Sequence, residues 1–199
     1  MIVSELRPLV DRERPLIRNG TFELGGVLAT RVGIVVDIDE NPEVYQEVID
    51  QVDERLADSG ATDFVSESEH TTFALSDGFR IINRAVTRLT PFLNEVYKEV
   101  IKEEATSRGL DRLTPEDQIG LSRFIGRGGI CHQQALLVAT TLTLMQIRGD
   151  FGGHVSIDSG FWRESFQDRH VSTLLADVGG LDFRFDSGFS MRWSTSTRT

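Results

Sequence analysis

From Cys131 to Arg148 the chain reads CHQQALLVATTLTLMQIR, with small or apolar residues on nearly every side of a helical wheel. A helix without a polar stripe has no face to give to water, so other elements must surround it. This segment constrains the fold more than any other. Gly128 and Gly129 stand before it and Gly149 after it, which suits a helix start and a glycine stop. Its most apolar part, Ala135 to Met145, is too short and too rich in threonine for a membrane span. The expected surroundings are therefore protein.

Downstream the pattern changes to sheet. His154 to Asp158, His170 to Ala176 and Leu181 to Asp186 are short strand-like runs, and Phe189 to Trp193 is a candidate fourth. Upstream, Thr21 to Asp39 reads as a hairpin or two short strands. Asn41 and Pro42 suit the N-cap and first position of a helix in which Val44, Val48, Val52 and Leu56 recur every four residues, widened by Tyr45 and Ile49. Ala57 to Gly78 reads as a polar loop, and Phe79 to Arg88 as weakly helical. Thr90-Pro91 opens a helix through about Glu104 with Phe92, Leu93, Val96, Tyr97, Val100 and Ile101 in one stripe. Thr114-Pro115-Glu116-Asp117 carries the signature of a further helix start. Helices followed by strands predict an α+β fold. The expected organisation is an extension or small lobe over 1–76 within one compact domain, a core over 77–195 and a tail over 196–199.

Composition narrows the function classes. A chain of 199 residues buries enough apolar surface to fold without staples, and its one cysteine excludes an internal disulfide framework. A formal net charge of −10 argues against nucleic-acid and anionic-membrane partners, both of which need a positive field. Acidic residues and prolines interrupt the opening MIVSELRPLVDRERPLIRNG, so no signal-peptide hydrophobic region is expected there. A cytoplasmic location is the corresponding expectation.

Cys131 is expected at the first turn of the buried helix, directly after Gly128-Gly129-Ile130. The positive end of the helix dipole and the unpaired amides of a first turn both favour thiolate. Those amides, with Gly129 among them, also suit a developing oxyanion. The opposing expectation is a small buried hydrophobe, the ordinary role of a free cysteine. A nucleophilic thiol needs a base and an orienting group. His132 stands about 100° around the helix from its neighbour and is expected to be a poor partner, and His70 falls in the polar loop. His154 and His170 each open a strand, and Asp186 closes the strand after His170.

The segments GGICHQQALLVATTLTLMQIRG, RHVSTLLADVGG and LDFRFD resemble, in order and setting, the transglutaminase-like superfamily of papain-like cysteine enzymes. The resemblance spans Gly128 to Asp186 and implies a papain-like core in which the helix bearing Cys131 packs on an antiparallel sheet. It implies Cys131 as nucleophile, His170 as general base and acid, and Asp186 as the residue orienting the imidazole. The implied chemistry is amide hydrolysis or acyl transfer on a peptide or protein substrate, with no cofactor and no metal. Gln118 is a candidate oxyanion donor, and Trp162 with Phe161 and Phe166 are candidates for a substrate groove. Where family members commonly carry His-Ala-Trp, this chain has His170-Val171-Ser172. That departure motivates the alternative of a non-catalytic binding or scaffold domain.

Two registers are open to the hairpin after His170. A two-residue turn at Gly179-Gly180 puts Asp186 opposite Thr173, about 10 Å along the strand from His170. A wider loop from Asp177 to Gly180 puts Asp186 opposite Val171, and the triad requires this second register. A zinc site on Cys131, His132, His154 and His170 lacks the paired ligand spacing that such sites show.

Overall fold

The computed structural model describes residues 33–60, 71–114, 116–161, 169–185 and 191–195, with side chains described throughout except at 71–76, 158–161, 169–170 and 191–195. In chain order the elements are β1 (Gly33–Val35), α1 (Pro42–Ser59), α2 (Thr71–Leu89), α3 (Asn94–Ser107), β2 (Gln118–Gly120), a 3-10 turn (Leu121–Phe124), α4 (Cys131–Arg148), β3 (His154–Phe161), β4 (Arg169–Val178), β5 (Leu181–Phe185) and β6 (Met191–Thr195). The chain is α+β, as its pattern predicts. None of the described helices is long and apolar enough to cross a membrane.

Helix α4 is buried all round over its first four turns, with only His132 partly exposed between Cys131 and Met145. Its threonines are accommodated locally: Thr140, Thr141 and Thr143 donate to the carbonyls of Leu136, Leu137 and Ala139, each at 2.8 Å. Returning each hydroxyl to the preceding turn satisfies it without an external partner. Helix α2 packs on one flank of α4 and the sheet on another. Phe79 of α2 carries the contact through the core, its ring 4.7 Å from that of Phe183 and 5.0 Å, edge-on, from that of Phe151. At the C-terminal end of α4, Arg148 donates to Asp53 of α1 at 2.5 and 2.8 Å and also to Asp150. The bond to Asp53 leads in raising the guanidinium's proton affinity above its ordinary value.

The sheet is an antiparallel meander in the order β3-β4-β5-β6. Thr173 of β4 donates to the Ala135 carbonyl at 2.7 Å and pins the sheet to α4. Gly179 and Gly180 form the tight turn between β4 and β5, both with positive φ, as two-residue hairpins of this twist require. Val178 faces Leu181 across that turn, but a register shift between Leu175 and Val178 brings Thr173 opposite Phe185. Asp177 sits at the shift with φ 59°, and its amide donates to the Asp182 carboxylate at 3.0 Å. Neither expected register is adopted: the turn is the tight one, and the bulge displaces the pairing by one residue.

Several upstream expectations are corrected. The partner of β1 is β2, in parallel, with Ile34 opposite Ile119. Of the hairpin or two short strands expected over Thr21 to Asp39, residues 21–32 lie outside the described residues and Gly33–Val35 forms β1. α1 runs to Ser59 and α2 begins at Thr71, so much of the expected polar loop is helix. α3 begins at Asn94 because Pro91 and Leu93 are engaged elsewhere in backbone hydrogen bonds, and Phe92 and Leu93 stand exposed outside its stripe. At the expected third helix start, the Thr114 amide and hydroxyl both donate to Asp117, at 2.6 and 2.9 Å, and the chain continues into β2. A side chain that satisfies these donors offers the backbone an alternative to a helix.

One carboxylate joins the N-terminal elements. Asp37 accepts from the Tyr45 hydroxyl at 2.6 Å, from Asn41 Nδ2 at 2.7 Å and from the Ser122 amide at 3.0 Å, and also from the Ser122 hydroxyl. Asn41 thus stands at the N-cap of α1 while its side chain serves Asp37. Burial first, and the Asp37 charge second, push the Tyr45 phenol well above its ordinary pKa. A Cβ added at Gly120 would lie 2.1 Å from Asp37 Oδ2. Gly120→Ala is therefore expected to destabilise the fold by about 1–3 kcal/mol, as overpacking does, in urea unfolding followed by circular dichroism. An unchanged midpoint would refute the Asp37 cluster.

Candidate functional site

The start of α4 is held by backbone rather than by a capping side chain at Ile130. The Gly126 amide donates to the Leu89 carbonyl at 2.6 Å, and the Gly129 amide to the Pro91 carbonyl at 2.9 Å. The Leu93 amide donates in turn to the Gly129 carbonyl at 2.8 Å, making an isolated parallel bridge between Phe92 and Gly129. Gly128 has φ 127°, and a Cβ there would lie 2.9 Å from the Pro91 carbonyl oxygen. Only glycine allows this close approach in that conformation. Gln133 Oε1 accepts the Ile130 amide at 2.9 Å, and Gln134 Nε2 donates to the Thr90 carbonyl at 2.7 Å. Both glutamines satisfy buried backbone groups. The loop is anchored outside by Arg127, which makes a forked contact of 2.7 and 2.9 Å to Glu103 of α3.

Cys131 follows this stitched loop as the first residue of α4. It is 8% exposed and packs with Ala135 and Val171, with Ile157 alongside. Its Sγ lies 3.6 Å from His132 Nδ1. Among the described side chains, His132 is thus the imidazole brought to the sulfur, contrary to the expectation from the helical wheel. The wheel counts Cβ directions, whereas helical side chains reach back toward the N-terminus, where the first turn has no preceding turn to separate them. The adjacent Cys-His pair in the sequence was the available signal.

The β4 residue packed with Cys131 is Val171. His170 is the preceding residue of the strand and pairs with Gly160, but its side chain lies outside the described residues. Asp186 and Trp162 lie outside them entirely, as do His70 and Phe166. Gln118 is exposed on β2, not on a helix, and its carbonyl accepts from Arg108 at 2.5 Å. Gly129 stands beside the site with its amide committed to Pro91, so an oxyanion there must find other donors. His154 is exposed at the start of β3. Among the described residues no group of three or more His, Cys, Asp or Glu side chains is arranged to hold a metal ion.

Comparison with protein-family models, with curated proteins and with solved structures finds no match.

The Arg127 fork lowers the Glu103 carboxyl from its ordinary pKa, with the Arg127 and Arg123 charges adding to the effect. A lowered folded value means that the anchor contributes fully above the ordinary glutamate pKa and is lost as pH falls through the folded one. Carbon-detected NMR titration is expected to place the Glu103 midpoint below that of an unperturbed glutamate, and Arg127→Gln should raise it. Equal midpoints in the two proteins would contradict the anchor.

Proposed function

We propose that the chain is a cysteine-dependent amide hydrolase or acyl transferase in which Cys131 is the nucleophile. The observation that supports this reading most is the 3.6 Å approach of Cys131 Sγ to His132 Nδ1 at the N-terminus of α4. A thiol in that position has the positive end of the dipole before it and an imidazole beside it to take its proton. The thiolate attacks a carboxamide or peptide carbonyl, and the carbon–nitrogen bond breaks as the imidazolium returns its proton to the departing amine. Water then hydrolyses the thioester in a peptidase or deamidase, and a second amine takes the acyl group in a cross-linking enzyme. In the transglutaminase-like version of the reading, with its papain-like core, His170 and Asp186 complete the proton path.

A non-catalytic binding domain is the second reading. Two observations favour it: the Gly129 and Ile130 amides are already committed to Pro91 and Gln133, and the sulfur is packed against Val171.

Alkylation by iodoacetamide across pH separates the two. The enzyme reading predicts a labelling midpoint below the free-thiol value of about 8.5, rising toward it in His132→Ala. A depressed midpoint that rises only in His170→Ala would move the base role to that residue. An inert thiol, or one with an ordinary midpoint in the native protein, would overturn the enzyme reading and favour the binding domain.

A further inference from the structure

The segment that stitches α4 in place has a second side that meets no backbone partner among the described residues. Phe92 and Leu93 are 57% and 45% exposed, and with Leu110 they are the exposed large hydrophobic side chains among the described residues. The backbone accounting over Pro91, Phe92 and Leu93 is simple. Pro91 has no N–H, and its carbonyl accepts from Gly129. The Leu93 amide donates to Gly129, and the Leu93 carbonyl accepts from Tyr97 at 3.1 Å. What remains is the N–H and C=O of Phe92, and among the described residues neither meets a partner. In a parallel bridge through Gly129 those two groups point away from Gly129, to the open edge. The edge therefore offers one donor and one acceptor on an extended residue, flanked by two apolar side chains. It lies across the bridge from Gly129, two residues before Cys131.

We propose that Phe92 is a main-chain docking point for an extended peptide, whose own N–H and C=O pair with it while an apolar side chain packs on Phe92 and Leu93. The occupant follows from the groups on offer. A lone donor and acceptor on a strand-like residue are complemented by another main chain in extended form, as in strand addition to a sheet edge. A lipid tail satisfies neither group. Pro91 on one side and the helical Asn94 on the other limit the pairing to a single residue, which fixes the register of the bound segment. The inference rests on the enzyme reading and deepens it: the amide presented to Cys131 would belong to an extended polypeptide, anchored on the side of Phe92 opposite Gly129, rather than to a small free amide.

The test uses the full chain carrying Cys131→Ala and an end-blocked, fluorescein-labelled heptapeptide of alanines with one central phenylalanine, followed by anisotropy. Phe92→Ala is expected to weaken binding about tenfold, the loss typical of a truncated aromatic anchor. Methylating the peptide nitrogens one at a time should abolish binding at one position and leave it nearly intact at the others. Equal tolerance at every position, or no effect of Phe92→Ala, would overturn the docking point. So would a concentration-dependent dimer in sedimentation that Phe92→Ala dissolves, because a second copy would then cover the edge. Failure of the enzyme reading is distinguished separately. With wild-type Cys131, a chloroacetamide on the same peptide should label faster than iodoacetamide, and Phe92→Ala should slow only the peptide reagent. A thiol inert to both reagents, with peptide binding intact, would defeat the nucleophile and leave the docking point standing.

Discussion

The reciprocal backbone contact between Pro91–Leu93 and Gly129 is the interaction on which the rest of the site depends. A helix buried on every side must begin at a defined depth, and the chain entering it must cross from the surface without leaving polar groups unpaired. Here the entry is solved by main chain: Gly129 gives its amide to Pro91 and receives the amide of Leu93. Gln133 and Gln134 then satisfy the Ile130 amide and the Thr90 carbonyl from within α4. The cost is conformational, because Gly128 must adopt a backbone that side chains resist and must lie against the Pro91 carbonyl. The consequence is positional. Cys131 can only emerge at the first turn, beside His132 and under Val171.

The same contact explains where sequence reading succeeded and where it stopped. The α4 helix, its stop at Gly149 and the strands after it were legible because burial on all sides and β-branched runs are local patterns. The start of α3 was not. Phe92 and Leu93 fit the apolar spacing of the helix that follows, but their segment is drawn into an extended bridge by a glycine far along the chain. β2 failed for a related reason: Asp117 turns on Thr114 and leads into a parallel pair with β1, and nothing local announces a partner so distant in sequence. The hairpin register was missed by one residue, because the Asp177 bulge depends on a side-chain contact to Asp182.

At the candidate site, sequence reading found the thiol and the setting that makes it interesting. It discounted His132, which the fold brings to the sulfur among the described side chains, because a wheel drawn from Cβ positions ignores how side chains bend at a helix end. Charge on the surface plays a supporting part. Arg127, fixed by Glu103, holds the outside of the loop whose inside positions Cys131. The chemistry proposed for the thiol and the docking proposed for Phe92 draw on the two sides of one short backbone segment.

Hydrogen exchange of the native protein, read amide by amide, tests that segment most directly. The Gly129 and Leu93 amides are expected to exchange only through openings that approach global unfolding, while the Phe92 amide, on the opposite edge of the same segment, exchanges nearly as fast as an unstructured residue. Rapid exchange at Gly129, or strong protection at Phe92 in the unbound monomer, would contradict the account.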